Sequence, residues 1–321
     1  MERNVRIDRL RVVLSFLIIA IHANLCYEFG DAGNEVGGFT RIAVPLFLVI
    51  SGYYFYNVYE NKKGIIKYLK HIVSLYVIWM ILYLPFYFNV STPFEIKRFF
   101  LTLLIGYNHL WYLPALIGGV LVFLFLNKFR FLGKYTFIVC AFVLYLIGLG
   151  LEIAKVWDVV PSGVKLVLSW NFPYRNFLFF GYPFFVLGFL VRQYEGKITQ
   201  LYNQTIWVIL TVLFLCLLPA EVYLYNTIGL SISGTDMFLS LFFLCPLIFI
   251  WNVKHKKTGK SKNLADLSSG IYFIHPMFIL LIDCFHMISS RPLYIFLMAA
   301  VLSIIGTKIL MIVNKKWVRI L

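Results

Sequence analysis

Apolar runs of membrane-spanning length recur from one end of this sequence to the other. A spanning helix needs about 20 mostly apolar residues. Hydrophobic residues make up 61% of the 321 residues and charged residues 13%, against about 45–50% and about 25% in an ordinary soluble domain. Backbone polar groups inside a bilayer must be satisfied within the chain, so such runs fold as helices. We therefore predict an all-α polytopic integral membrane protein, with one membrane domain over residues 1–321.

The apolar runs predict about ten transmembrane helices. Their approximate limits are 10–26, 39–57, 71–89, 110–127, 136–152, 176–192, 205–223, 236–252, 269–286 and 292–313. No small-residue cleavage site follows the first run, which favours an uncleaved first helix over a signal peptide. The segment 91–109 is amphipathic, which is typical of a helix lying along the outer surface.

The positions of the basic residues support this topology. With a cytoplasmic N-terminus and alternating spans, 22 of the 29 Lys and Arg residues fall in cytoplasmic segments and 7 in outer segments. That asymmetry is what the positive-inside rule predicts, and it places both termini in the cytoplasm. The net charge of +15 is then explained by orientation in the lipid bilayer, and we expect no nucleic-acid partner. The five cysteines include no CxxC pair, so no metal site is indicated.

Ionisable groups inside a bilayer are costly and are therefore functional candidates. Arg11 and His22 are 11 residues apart in the first span. At 3.6 residues per turn they share one helix face, about 16 Å apart along the axis, with Ser15 between them. Two plainer interpretations stay open, namely that Arg11 extends to the interface with the other basic residues and that His22 is a packing histidine.

Five segments resemble motifs of the acyltransferase-3 family of membrane acyltransferases. In chain order they are Arg11 followed by His22, Pro45–Tyr53 with Ser51-Gly52, Lys67–His71 on the next cytoplasmic loop, His109–Leu113, and Ile271–Pro276. The third departs from the family pattern by using Lys where Arg is usual. Residues 41–45 and 175–181 are similar to the membrane part of vancomycin-resistance serine racemases. Those proteins carry a separate soluble racemase domain, which we do not expect here.

The resemblance implies transfer of an acyl group, commonly acetyl from acetyl-CoA, to a cell-surface sugar or a small hydroxyl or amino acceptor. It also implies a multi-pass protein of a bacterial plasma membrane that takes part in O-acetylation of the cell envelope. His22 would be the general base or acyl relay, with Arg11 as the second catalytic residue. We predict that acyl-CoA, a co-substrate rather than a metal cofactor, is held by Arg9, Arg11, Lys67, Lys70 and Ser51.

Four further residues are candidates for binding the acceptor near the outer surface. They are His109, Trp111, Arg41 and Arg175. Interfacial anchoring is the alternative for Trp111 and for the two arginines. His275 precedes Pro276, so it is expected in a kinked helix with a freed carbonyl and in a structural or supporting role.

Two other functions remain open from the sequence. One is a transporter of a small polar molecule such as serine, without chemistry, since ten helices with polar residues at mid-depth also suit transport. The other is an assembly subunit for a separate surface-polymer enzyme. The acceptor, the acyl chain and the oligomeric state do not follow from the sequence.

Overall fold

The computed structural model describes residues 3–129, 133–260, 262–284 and 291–316. Helices account for most of these residues. Within the described part of the chain the α-helices, labelled α1 to α14 in chain order, are Val5–His22, Gly30–Val36, Ala43–Phe55, Lys62–Tyr87, Pro93–Ile105, Tyr112–Leu126, Lys134–Ala154, Ser162–Leu168, Tyr182–Gln193, Glu195–Leu201, Gln204–Thr227, Leu239–Lys254, Asn263–Cys284 and Pro292–Lys316. Two short strands, β1 (Arg3–Asn4) and β2 (Thr258–Gly259), pair antiparallel.

Side-chain caps set several helix starts. The Asn4 side chain accepts a hydrogen bond from the backbone N–H of Arg6 at 3.0 Å and so caps α1. Asn61 caps α4, and Thr92 caps α5 with Pro93 at its first position. Asn and Thr satisfy helix N–H groups that have no intrahelical acceptor, so each boundary is determined by local sequence.

The all-α membrane class is confirmed. Seven helices of the described chain are long and apolar enough to cross a membrane, or eight if the bent pair Phe177–Gln193 and Glu195–Leu201 forms one span. The first and eighth predicted spans are also helical, as α1 and α12. However, α1 carries four charged residues and α12 has only 16 residues. The count of ten and the cytoplasmic termini therefore stay predictions.

Two boundaries differ from the sequence prediction. Helix α1 runs over Val5–His22 instead of 10–26, and the chain continues into a 3₁₀ turn at Leu25–Phe29. The segment Lys67–His71, predicted on a cytoplasmic loop, lies inside α4, because the Asn61 cap starts that helix at Lys62. Residues 285 and 286, the end of the ninth predicted span, lie outside the described residues.

Backbone contacts divide the chain into two compact units, each described by itself below. The first unit comprises Met1–Phe47 and Tyr194–Leu321, and the second comprises Leu48–Gln193. The prediction of one membrane domain over 1–321 is not tested by this division.

In the first unit α13 packs against both α1 and α14. Their shared apolar core includes Ile19, Ala23, Ile271, Ile279, Ile282, Ala299 and Ala300. A Cβ atom added at Gly270 would lie 2.2 Å from the Thr307 side chain. A side chain at position 270 would therefore require the Thr307 side chain or the two helices to shift, and glycine avoids this.

In the second unit α3 and α9 approach each other at two glycines. A Cβ at Gly52 would lie 1.9 Å from the carbonyl oxygen of Phe185, and one at Gly188 would lie 1.8 Å from that of Val49. The Gly52 of the Ser-Gly motif is thus explained by close backbone contact. A cluster of buried phenylalanines lies beside this crossing and includes Phe55, Phe123, Phe185 and Phe189.

Candidate active site

Arg11 is held in the contact between α1 and α13. Its Nη2 donates to the Ser269 hydroxyl at 3.1 Å. The Ser268 hydroxyl donates to the Arg11 backbone carbonyl at 2.8 Å. The same α13 turn therefore binds both the side chain and the backbone of Arg11. The guanidinium lies against a neighbouring helix, and the catalytic role of Arg11 stays a prediction.

His22, the last residue of α1, lies beside His275 of α13. Their ring centroids are 5.2 Å apart and the rings are tilted by 42°. His275 is fully buried and His22 is half-buried. The two imidazoles thus lie at the same level of two packed helices, and an accessible imidazole is a side chain that can accept or donate a proton near neutral pH.

The hydrogen bonds of His275 define its orientation. Its Nδ1 lies 2.8 Å from the Tyr272 carbonyl and 3.1 Å from the Ile271 carbonyl. Carbonyl oxygens only accept, so Nδ1 carries the proton, and in a neutral ring Nε2 is then the acceptor. Pro276 has no backbone N–H to offer the carbonyl four residues earlier, which is that of Tyr272. The imidazole donates there in its place.

Sequence reasoning missed three members of this site. Ser269 and Ser268 of α13 contact Arg11 of α1. Tyr272 lies one turn further along α13, with its ring centroid 6.3 Å from that of His275 and 6.0 Å from that of Phe47. The available signal was their spacing, because residues three and four apart share a helix face. We use the name histidine seam for Arg11, His22, Ser268, Ser269, Tyr272 and His275.

The other residues predicted to bind acyl-CoA are not part of the histidine seam. Arg9 is exposed near the start of α1, whereas Lys67 and Lys70 are exposed on α4 in the second unit. The Ser51 hydroxyl lies 2.9 Å from the Tyr112 hydroxyl. Ser51 is thus part of a hydroxyl contact between α3 and α6. A role for these four residues in binding CoA stays a prediction.

Arg41 lies in a buried ion pair with Asp236. Its Nη1 is 2.8 Å from the Asp236 carboxylate and its Nη2 is 2.5 Å from the Ile232 carbonyl. A side chain from another helix caps the start of α12. That cap is Glu221 of α11, which accepts from the Leu239 and Ser240 N–H groups at 2.5 and 3.0 Å. Nothing in the local sequence of α12 indicated a carboxylate from another helix.

The remaining acceptor candidates lie in the second unit. His109 is buried, with its ring centroid 5.2 Å from that of Tyr83. The Arg175 guanidinium stacks over the Trp111 ring at 4.7 Å, a cation–π arrangement. Trp111 and Arg175 line one cleft of about 180 Å³ whose other walls are largely apolar. The structure thus brings Trp111 and Arg175 together, and their binding of an acceptor stays a prediction.

Comparison with known proteins places these residues in context. Residues 4–312 match the model of an acyltransferase domain, that of the acyltransferase-3 family. An amino-acid racemase of Enterococcus faecalis is 27% identical over 97% of this chain and 46% of its own length. A serine/alanine racemase of Enterococcus gallinarum is 30% identical over 85% of this chain and 40% of its own. The chain thus spans less than half the length of these relatives. No solved structure matches it significantly.

Proposed function

Since the chain belongs to the acyltransferase-3 family, we propose that it moves an acyl group, acetyl by preference, from cytoplasmic acyl-CoA to a cell-surface sugar or a small hydroxyl or amino acceptor. The supporting observation is the pairing of His22 with His275 at 5.2 Å on two packed helices. Arg11 is anchored along the same helix pair by Ser269. Acyl transfer needs a general base with a pKa near neutrality, which imidazole supplies.

The proposed step proceeds as follows. The His22 imidazole takes the proton from the acceptor hydroxyl while that oxygen attacks the thioester carbonyl carbon. A carbon–oxygen bond forms, the carbon–sulfur bond breaks, and coenzyme A leaves as a thiol after receiving the proton from His22. His275, oriented by its Nδ1–H bond to the Tyr272 carbonyl, positions His22. Arg11 holds the donor by its charge, since a guanidinium pairs well with phosphate or a polarised carbonyl.

The decisive experiment measures labelled acetyl transfer and acetyl-CoA hydrolysis by the purified protein. We expect His22→Ala to lower both by about 100-fold or more, the usual contribution of a general base, while CoA still binds. His255→Ala is the matched control, because His255 packs on Trp251 away from the seam. Full activity of His22→Ala would remove His22 from the mechanism. If the wild type does not bind acetyl-CoA, acyl-CoA is excluded as the donor.

A second candidate function is movement of a small amino acid across the membrane. It is favoured by the names of the relatives, which are amino-acid and serine/alanine racemases. Labelled serine uptake into sealed vesicles separates the two. Uptake by protein that binds no acetyl-CoA would support the transporter, and acetyl transfer without uptake would support the enzyme.

A further inference from the structure

The pairing of β1 with β2 lies at the N-terminal ends of α1 and α13, the two helices that carry the histidine seam. Arg3 pairs with Gly259 and Asn4 with Thr258. Helix α1 follows β1 directly, and α13 begins at Asn263, four residues after β2. Because α1 and α13 leave this strand pair side by side, the pair lies at one end of the seam, and His22 lies about 27 Å further along α1 at 1.5 Å per residue.

Asn4 fastens this strand pair in place. Its Nδ2 donates to the Asn252 carbonyl at 2.9 Å, and its Oδ1 accepts from the Lys257 N–H at 3.4 Å. The Val5 N–H donates to the Lys257 carbonyl at 2.7 Å. The segment 256–260 is therefore held against the start of α1.

Exposed cations surround the strand pair. We use the name basic rim for Arg6, Arg9, Lys256, Lys257, Lys260 and Lys262, all of which are exposed. In the described part of the chain the ion pairs include none of these six; the nearby Asp8 carboxylate is bound by Arg3 at 2.9 and 3.1 Å. Asp8 is thus neutralised by a cation outside the rim. Asp266, in the first turn of α13, is a second nearby carboxylate, so the six cations of the rim keep a clear excess of positive charge.

The geometry points to the basic rim as the docking surface for the phosphorylated head of the acyl donor. This inference rests on the proposed function and assigns the phosphate contacts to Lys256, Lys257 and Lys260, not to Lys67 and Lys70. Several phosphates cannot enter hydrocarbon without paired cations. A head group held at the rim leaves the long neutral arm of the donor directed along α1 and α13 towards His22. The same phosphate chemistry occurs in anionic lipid headgroups, so the test separates the two sources.

The test compares a triple variant with a charge-matched control. Lys256→Gln, Lys257→Gln and Lys260→Gln are combined, and the control combines Lys62→Gln, Lys63→Gln and Lys128→Gln, three exposed lysines of the second unit. Binding of coenzyme A and of 3′,5′-adenosine bisphosphate is measured calorimetrically in neutral phosphatidylcholine nanodiscs. We expect the rim variant to raise both Kd values by about tenfold or more and the control to leave them unchanged.

Kinetics and lipid titration complete the test. The rim variant should raise KM for acetyl-CoA without changing kcat, because the seam is intact. An unchanged Kd for coenzyme A in the rim variant overturns the inference and leaves the proposed function standing. If the rim variant no longer binds phosphatidylglycerol vesicles but keeps the wild-type Kd for coenzyme A, the rim binds lipid. That result also overturns the inference. A wild type that binds no coenzyme A overturns both proposals.

Discussion

The imidazole of His275 donates its Nδ1–H to the backbone carbonyl of Tyr272 at 2.8 Å. Pro276 cannot supply the N–H that a regular helix would place there. His275 therefore supplies the hydrogen bond that Pro276 cannot make, and the same bond orients the buried ring of His275 beside His22.

Replacement of His275 should separate its structural role from its chemical role. An Asn side chain carries an N–H donor near the position of Nδ1, whereas Leu carries none. We expect His275→Leu to lower the free energy of unfolding by about 1–3 kcal/mol, the cost of leaving the buried Tyr272 carbonyl unsatisfied. We expect His275→Asn to retain most of the wild-type stability. Both should lower acetyl-CoA hydrolysis, because neither keeps a ring beside His22. Thermal unfolding in detergent and the hydrolysis rate are the two measurements, and a Leu variant as stable as the wild type would contradict the assignment.

The contact between Arg11 and Ser269 predicts a graded loss of activity. Ser269→Ala removes the hydroxyl that accepts from Nη2, and a hydrogen bond to a charged group contributes about 1.5–3 kcal/mol. If that energy positions Arg11 in the transition state, kcat/KM falls about tenfold or more. Arg11→Lys should show a similar loss because the planar fork is absent. Ser303→Ala, at a buried serine of α14, is the control and should behave as the wild type.

The glycines between α3 and α9 predict a stability effect that is independent of chemistry. Gly188→Ala places a Cβ 1.8 Å from the Val49 carbonyl oxygen, so the helices must separate, at a cost of about 1–3 kcal/mol. Gly150→Ala in α7 meets no atom within 4 Å and should be neutral or stabilising by up to about 1 kcal/mol. The temperature of unfolding of both variants in one detergent checks the pair. Equal temperatures would show that α3 and α9 are not in close contact.

The buried pair of Arg41 and Asp236 predicts strong coupling between two distant positions in the sequence. Their side chains are 9% and 12% exposed, and removing one partner of a buried pair costs about 3–5 kcal/mol. Arg41→Met and Asp236→Leu should each destabilise the protein, while the double variant should recover much of the loss. A double-mutant cycle on thermal stability measures the coupling. Additive losses would instead leave Arg41 available for the predicted acceptor role.

The sequence predicted the membrane class and most helix positions for reasons that are local. Apolar runs of spanning length form helices wherever they occur. The caps Asn61 and Thr92 are local too, but the prediction did not use them, and so it placed Lys67–His71 on a loop. The shared face of Arg11 and His22 also follows from helix periodicity alone. The family resemblance singled out the segment Ile271–Pro276, where His275 was predicted in a structural or supporting role, and Pro276 indicated the carbonyl that His275 binds.

Contacts between distant segments were decided only by the tertiary structure. Helical periodicity states which residues share a face, but not which helix that face meets. Ser269 therefore became a partner of Arg11 only when α13 packed against α1. In the same way Glu221 caps α12 from another helix, and Arg41 meets Asp236 across 195 residues of sequence. Long-range pairing depends on how helix surfaces interdigitate in three dimensions, which no local pattern in a single sequence records.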